Sequence, residues 1–120
     1  MLRILLVEDE PDISAVASIA LEEAGYHVTV ASDGAWGLEL ALQETPELIV
    51  TDFMMPGLDG LTMIERIRSC GYRNPIVLTT AIPECQLPKR PGYNAFLPKP
   101  YRLSSLVEVI ESLRVADGRS

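Results

Sequence analysis

Short apolar runs alternate along this chain with stretches in which apolar residues recur every three or four positions. Ile4 to Val7 reads as a first strand. Ile13, Val16, Ala17, Ala20, Leu21 and Ala24 then form the stripe of a helix, with Gly25 as its stop. His27 to Ala31 gives a second strand, Asp33-Gly34 a turn, and Leu38, Ala41 and Leu42 a short helix ended by Pro46. Leu48 to Thr51 is the third strand; Leu61, Ile64 and Ile67 mark a third helix stopped at Gly71; Pro75 to Thr80 is the fourth strand. A fifth strand runs up to Lys99, and Leu103, Leu106, Val107, Ile110 and Leu113 carry the last helix.

Strands this uniformly apolar are covered on both faces, and their alternation with helices makes the sheet parallel, so the pattern predicts a doubly wound α/β fold. With five strands the common flavodoxin-like order is 2-1-3-4-5. Ligands then bind at the carboxyl ends of strands one and three, where the order reverses.

One domain is expected, over 1–116 with a short tail at 117–120, because 120 residues of which 48% are hydrophobic fill a single core. Ten basic residues against seventeen acidic give a net charge of −7, which repels phosphate backbones and anionic membranes. Direct contact with nucleic acid or a membrane is therefore not expected. The N-terminal apolar run stops at Glu8, Asp9 and Glu10, and no window approaches a membrane span, which points to the cytoplasm. Cys70 and Cys85 lack metal or redox spacing and read as reduced thiols.

The strand order changes the meaning of three acids, because it sets Glu8 and Asp9, after strand one, beside Asp52, after strand three. Carboxylates about 4 Å apart at an effective dielectric of 20 repel by about 4 kcal/mol per pair, and protonation or a cation must relieve this. Hard oxygen ligands in a wet crevice suit Mg²⁺. Thr80 ends strand four and Lys99 follows strand five. A hydroxyl and an ammonium converging on a carboxylate beside a metal suit a phosphoryl group carried on Asp52. Taken singly these residues have plainer readings. Asp52 could cap a turn, Thr79 could replace Thr80, and Lys99 could be a solvated lysine. Lys89 and Arg90 read as surface charges, His27 as a strand-edge histidine, Trp36 as helix packing or a lone exposed aromatic, and Met54 and Met55 as rim residues.

The segments "LLVEDE", "LIVTDFMMPGLDG", "IVLTTA" and "LPKPY" resemble, in order and over nearly the whole chain, the signatures of a bacterial two-component response-regulator receiver domain. The resemblance implies phosphorylation of Asp52 by a sensor histidine kinase or phosphotransfer protein. It also implies Mg²⁺ among Glu8, Asp9, Asp52 and the backbone carbonyl of Met54, with Thr80 and Lys99 as catalytic partners and Thr80 and Phe96 as switch positions. It selects Thr80 over Thr79, since the family places the hydroxyl directly before alanine, here Ala81, and it implies a cis Lys99-Pro100 bond. Such a domain catalyses only its own phosphorylation and dephosphorylation and acts on an output protein partner. In the family, the residues two beyond the aspartate and two beyond the hydroxyl flank the path of the hydrolytic water; here they are Met54 and Ile82. The alternative is a constitutive, non-phosphorylated interaction module on the same fold. A phosphohydrolase is disfavoured, because Asp52-Phe53-Met54 lacks a second acid. No segment reads as a DNA-binding or catalytic output domain, which leaves a stand-alone protein and a piece of a longer one both open.

The pattern breaks between Ala81 and Lys99, in "IPECQLPKRPGYNAFLP". Prolines at 83, 88, 91 and 98 each cost about 3 kcal/mol inside a helix, so the fourth helix of the family is expected to be missing or reduced to one turn. Pro98 is tolerable only in an edge strand. Residues 82–94 should be irregular and mobile, with Leu87 and Tyr93 as apolar anchors wherever a self-contact or a partner covers the bare sheet face. The family uses its fourth helix, fifth strand and fifth helix for dimerisation and output, so that role and the oligomeric state are open here.

Overall fold

The computed structural model describes residues 2–116, and the expected tail at 117–120 lies outside the described residues. In chain order the elements are β1 (Arg3–Val7), α1 (Pro11–Glu23), β2 (His27–Ala31), α2 (Gly34–Glu44), β3 (Leu48–Asp52), α3 (Gly60–Ser69), β4 (Ile76–Thr80), β5 (Ala95–Pro98) and α4 (Leu103–Ala116). All strand pairs are parallel and the order is β2-β1-β3-β4-β5, the doubly wound flavodoxin-like arrangement that the pattern predicts.

Alternate residues of each strand point to opposite faces, which divides the core into two layers. Ile4, Leu6, Leu48, Val50 and Val77 pack under α1 and α4, while Leu5, Val7, Ile49, Ile76 and Leu78 pack under α2 and α3. β3 and β4 are buried along their whole length, whereas His27 and Pro98 are exposed on the two edge strands. The N–H of Lys99 donates to the carbonyl of Thr80 at 2.9 Å. Since successive strand amides alternate in direction, the position of Pro98, which lacks an N–H, faces outward.

Two helix starts depend on aspartates. Asp33 does not sit in a free turn, as the sequence suggests, but caps α2, its Oδ1 accepting from Trp36 N at 2.8 Å, and Gly34 is already helical. The residue types that favour turns also favour caps, and here the helix claims them. Asp59 caps α3 in the same way, through Thr62 N at 2.8 Å.

Between Ala81 and β5 the only helical piece is a single 3₁₀ turn, Glu84–Gln86, so the fourth helix is degenerate as the prolines require. The bare sheet face is covered by the chain itself: Leu87 is buried in the layer of α2 and α3, and Ile82, Tyr93 and Phe96 pack against it. Two arginines fasten this strap. Arg68 of α3 donates to the carbonyls of Gly92 (3.0 Å), Tyr72 (2.9 Å) and Asn74 (2.8 Å) and to Asn94 Oδ1 (2.8 Å). Arg90, expected to be a loose surface charge, instead donates to Thr62 Oγ1 at 3.1 Å and lies 3.3 Å from Glu65 Oε1. The strap runs close enough to α3 to bring both groups within its reach. Lys89 is exposed, as expected. Gly92 has φ +130°, and a Cβ there would stand 2.6 Å from Ile64 Cγ2, so only glycine fits both the backbone and the space. Cys70 and Cys85 are free and exposed, and among the described residues no helix is long and apolar enough to cross a membrane.

Candidate functional site

The pairing of β1 with β3 places Glu8, one residue beyond β1, next to Asp52, the last residue of β3. Oxygen atoms of Glu8, Asp9 and Asp52 all lie within 4.8 Å of one another. Glu8 and Asp52 are buried, 3% and 5% exposed, and Asp9 is half-buried. Lys99 enters from the end of β5, ahead of a cis Lys99-Pro100 bond, and its Nζ lies 2.8 Å from Glu8 Oε1 and 3.2 Å from Asp52 Oδ2.

The electrostatics follow from this crowding. Burial pushes the Asp52 carboxyl up, the charge of Glu8 adds to it, Lys99 pulls it back and Asp9 pushes again, leaving it raised to about 6. Burial alone would lower the Lys99 ammonium, but its hydrogen bond to Glu8 and the charges of Asp52 and Glu8 outweigh this and hold it above the usual lysine value. Burial, with Glu8 next, also raises the Tyr101 phenol. Three carboxylates against one ammonium leave two negative charges when all are ionised, gathered on oxygen atoms close enough to share one ion. That donor set fits a divalent hard cation such as Mg²⁺.

The backbone behind Asp52 is equally confined. Gly60, the first residue of α3, donates its N–H to the Phe53 carbonyl at 2.8 Å, and a Cβ there would lie 2.1 Å from the Asp52 carbonyl oxygen. Helix N-termini gather at this end of the sheet, where their partial positive charge favours anions. Thr79 and Thr80 are both buried at the end of β4. Thr79, opposite Asp52 in register, is 3.5 Å from the Thr51 carbonyl through Oγ1, whereas Thr80 Oγ1 accepts the N–H of Ile82 at 3.2 Å. Phe96 is half-buried and pairs with Leu78, two residues before Thr80. Met54 is 59% exposed at the rim, while Met55 is core.

The residues singled out from the sequence thus fall into two groups. Glu8, Asp9, Asp52 and Lys99 are brought together; Thr80 and Phe96 stand on the adjoining strands, with no hydrogen bond to Asp52 among the described residues. Two features escaped sequence reasoning. One is the bond from Lys99 to Glu8. The other is a groove of about 510 Å³ beside Lys99, lined by Ile13, Val16, Pro100, Tyr101 and Leu103. Its signal was present in the α1 stripe, which is wider than a core-facing arc needs: Val16 is 51% exposed.

The sequence matches the family described as "Response regulator receiver domain" over residues 4–111. The DNA-binding dual master transcriptional regulator RpaA of Synechocystis is 37% identical over 94% of this chain and 49% of its own length. The chain spans about half the length of the curated relatives it matches. Among solved structures, the chemotaxis protein CheY4 of Vibrio cholerae superimposes with a TM-score of 0.87 at 27% identity, covering 94% of this chain and 98% of that one. A complex of histidine kinase ThkA with response regulator protein TrrA gives 0.85 at 29% identity, covering 94% and 98%. Signature segments, strand order and family match agree over nearly the whole chain, which belongs to the response regulator receiver domain family.

Proposed function

We propose that this receiver domain accepts a phosphoryl group on Asp52 from a phosphohistidine, carried by a sensor histidine kinase or a phosphotransfer protein, and so changes a surface read by an output protein. The observation that carries the reading is the placement of Asp52 beside Glu8 with the Lys99 ammonium bridging the two, its carboxyl buried yet raised only to about 6, below neutral pH. A carboxylate oxygen of Asp52 attacks phosphorus, the P–N bond of the donor breaks, and the imidazole keeps the bonding electron pair. The Lys99 ammonium stays beside the oxygens where charge accumulates. Thr80 is the better hydroxyl, because its oxygen holds an amide proton and leaves its own proton for a phosphoryl oxygen, while the Thr79 hydroxyl points to a backbone carbonyl. Phe96 follows Thr80 as the second switch position. Mg²⁺ held by Glu8, Asp9, Asp52 and the backbone carbonyl of Met54 would neutralise the phosphoryl oxygens.

As a receiver domain the chain is a signalling module. In this reading it turns over nothing but its own phosphorylation state, works in the cytoplasm, and does not itself touch nucleic acid, in keeping with a net charge of −7. Incubation with Mg²⁺ and acetyl phosphate tests it: intact mass should show one added phosphoryl group on the parent and none on Asp52→Asn. A parent that takes neither acetyl phosphate nor beryllofluoride at Asp52 would be a constitutive, non-phosphorylated module, and the reading would fail.

A further inference from the structure

Charge is divided unevenly along this chain. Residues 1–65 carry thirteen acidic side chains and a single basic one, Arg3, whereas residues 66–102 carry seven basic side chains and a single acidic one, Glu84. Two of the seven are elsewhere: Lys99 is taken up by the carboxylates of the site, and Arg102 precedes α4, in the other layer. The remaining five gather along α3. Arg66 and Arg68 stand in its last turn and Arg73 soon after it. The strap lies against the same helix, Gly92 beside Ile64 and Arg68, and Arg90 beside Thr62 and Glu65, which brings Lys89 alongside.

Cations in the last turn of a helix offset its dipole, and that accounts for Arg66. It does not account for the rest. Arg68 spends its donors on the neutral oxygens of Gly92, Tyr72, Asn74 and Asn94, so its charge meets no carboxylate among the described residues. Burial lowers its guanidinium, Tyr72 offsets part of this and Arg73 lowers it further, so two cations stand close enough to repel. Arg66, Arg73 and Lys89 are exposed and make no ion pair among the described residues. The acids at the border are already engaged, Glu65 by Arg90 at 3.3 Å and Glu84 by the Tyr93 hydroxyl at 2.9 Å.

The structure assigns to this stripe of α3 and strap the binding of an acidic polypeptide segment. The stripe is bounded, because α2, packed on α3, exposes Glu39 and Glu44. A nucleic acid, with charge at every residue, would run onto such acids, while a short segment with a few carboxylates stays within the stripe. At physiological salt the screening length is about 8 Å, so the segment feels the nearby cations more than the distant acids that set the net charge of −7. The stripe needs no phosphoryl group to be in place, so this inference goes beyond the phosphoacceptor reading and does not depend on it.

Hexaglutamate titrated into isotope-labelled protein, followed by amide NMR shifts at low and at physiological salt, tests it. The parent is compared with the double variant Arg66→Ser with Arg73→Ser, and with Arg102→Ser, which removes an exposed arginine outside the stripe. Shifts are expected over 65–74 and 88–90. Affinity should fall by about fivefold or more in the double variant, stay within about twofold in Arg102→Ser, and weaken as salt rises. No binding, shifts centred elsewhere, or an unaffected double variant overturns the proposal. A DNA hexanucleotide of similar charge that binds the stripe more tightly than hexaglutamate also overturns it, in favour of a nucleic-acid surface. Sedimentation showing self-association of the parent that the double variant loses overturns it in favour of a second copy. None of these results bears on whether Asp52 accepts a phosphoryl group.

Discussion

Lys99 lies closer to Glu8 than to Asp52, donating to Glu8 Oε1 at 2.8 Å while standing 3.2 Å from Asp52 Oδ2. In the metal-free protein this one ammonium compensates two buried carboxylates. Lys99→Met leaves both without it, and breaking a buried pair in this way should destabilise the fold by about 2–4 kcal/mol. Denaturation with and without Mg²⁺ checks this: the cation should restore part of the loss, and a variant indifferent to Mg²⁺ would contradict the placement of the charge.

Asp52 carries a pH dependence of definite sign. Its carboxyl is raised to about 6 in the folded protein, so the fold holds this proton more tightly than the unfolded chain does. The contribution favours the fold below the ordinary aspartate value and is lost as pH rises through about 6. Asp52→Asn removes the penalty. The rise corresponds to a ceiling of about 3 kcal/mol, which solvent at the open crevice reduces to an expected gain of about 1–2 kcal/mol at pH 7 without metal. Urea unfolding at pH 4 and pH 7 should show the variant ahead only at the higher pH.

The phosphorylated state should be long-lived. Hydrolysis needs a water held in line with phosphorus, and neither Met54, exposed at the rim, nor Ile82, packed half-buried against the core, can orient one by hydrogen bonding. Installing Met54→Asn with Ile82→Glu should speed loss of the phosphoryl group by about tenfold or more. Phosphate release from the purified phosphoprotein measures it, and a double variant no faster than the parent would defeat the idea.

Gly60 should tolerate no side chain. A Cβ would lie 2.1 Å from the Asp52 carbonyl oxygen, so Gly60→Ala must push α3 away from β3 or displace Asp52 itself. A loss of about 3 kcal/mol or more is expected, with weakened Mg²⁺ binding, by thermal unfolding and metal titration.

The features legible in the sequence are those fixed by local chemistry. Apolar runs such as Leu48, Ile49 and Val50, alternating with helix stripes, were enough for the strand order, and the order brought Glu8, Asp9 and Asp52 together before any geometry was known. The missing helix was legible because a proline ring removes its N–H whatever surrounds it. Arg90 was not legible, since its partners Thr62 and Glu65 belong to another element and an arginine in a loop looks the same whether fastened or solvated. The turn read at Asp33-Gly34 fails for a related reason: Gly34 is demanded by the Leu58 carbonyl, 2.2 Å from where its Cβ would be, a neighbour that only the folded chain supplies.

An ordinary helix spreads its support over a backbone bond at nearly every residue, so a single exchange on its surface rarely matters. Here four acceptors between Tyr72 and Asn94 converge on the guanidinium of Arg68. Tolerance to substitution in this region should therefore be lopsided: exchanges at the exposed Cys85, Gln86 and Lys89 remove little support, while loss of the one Arg68 side chain breaks all four bonds together.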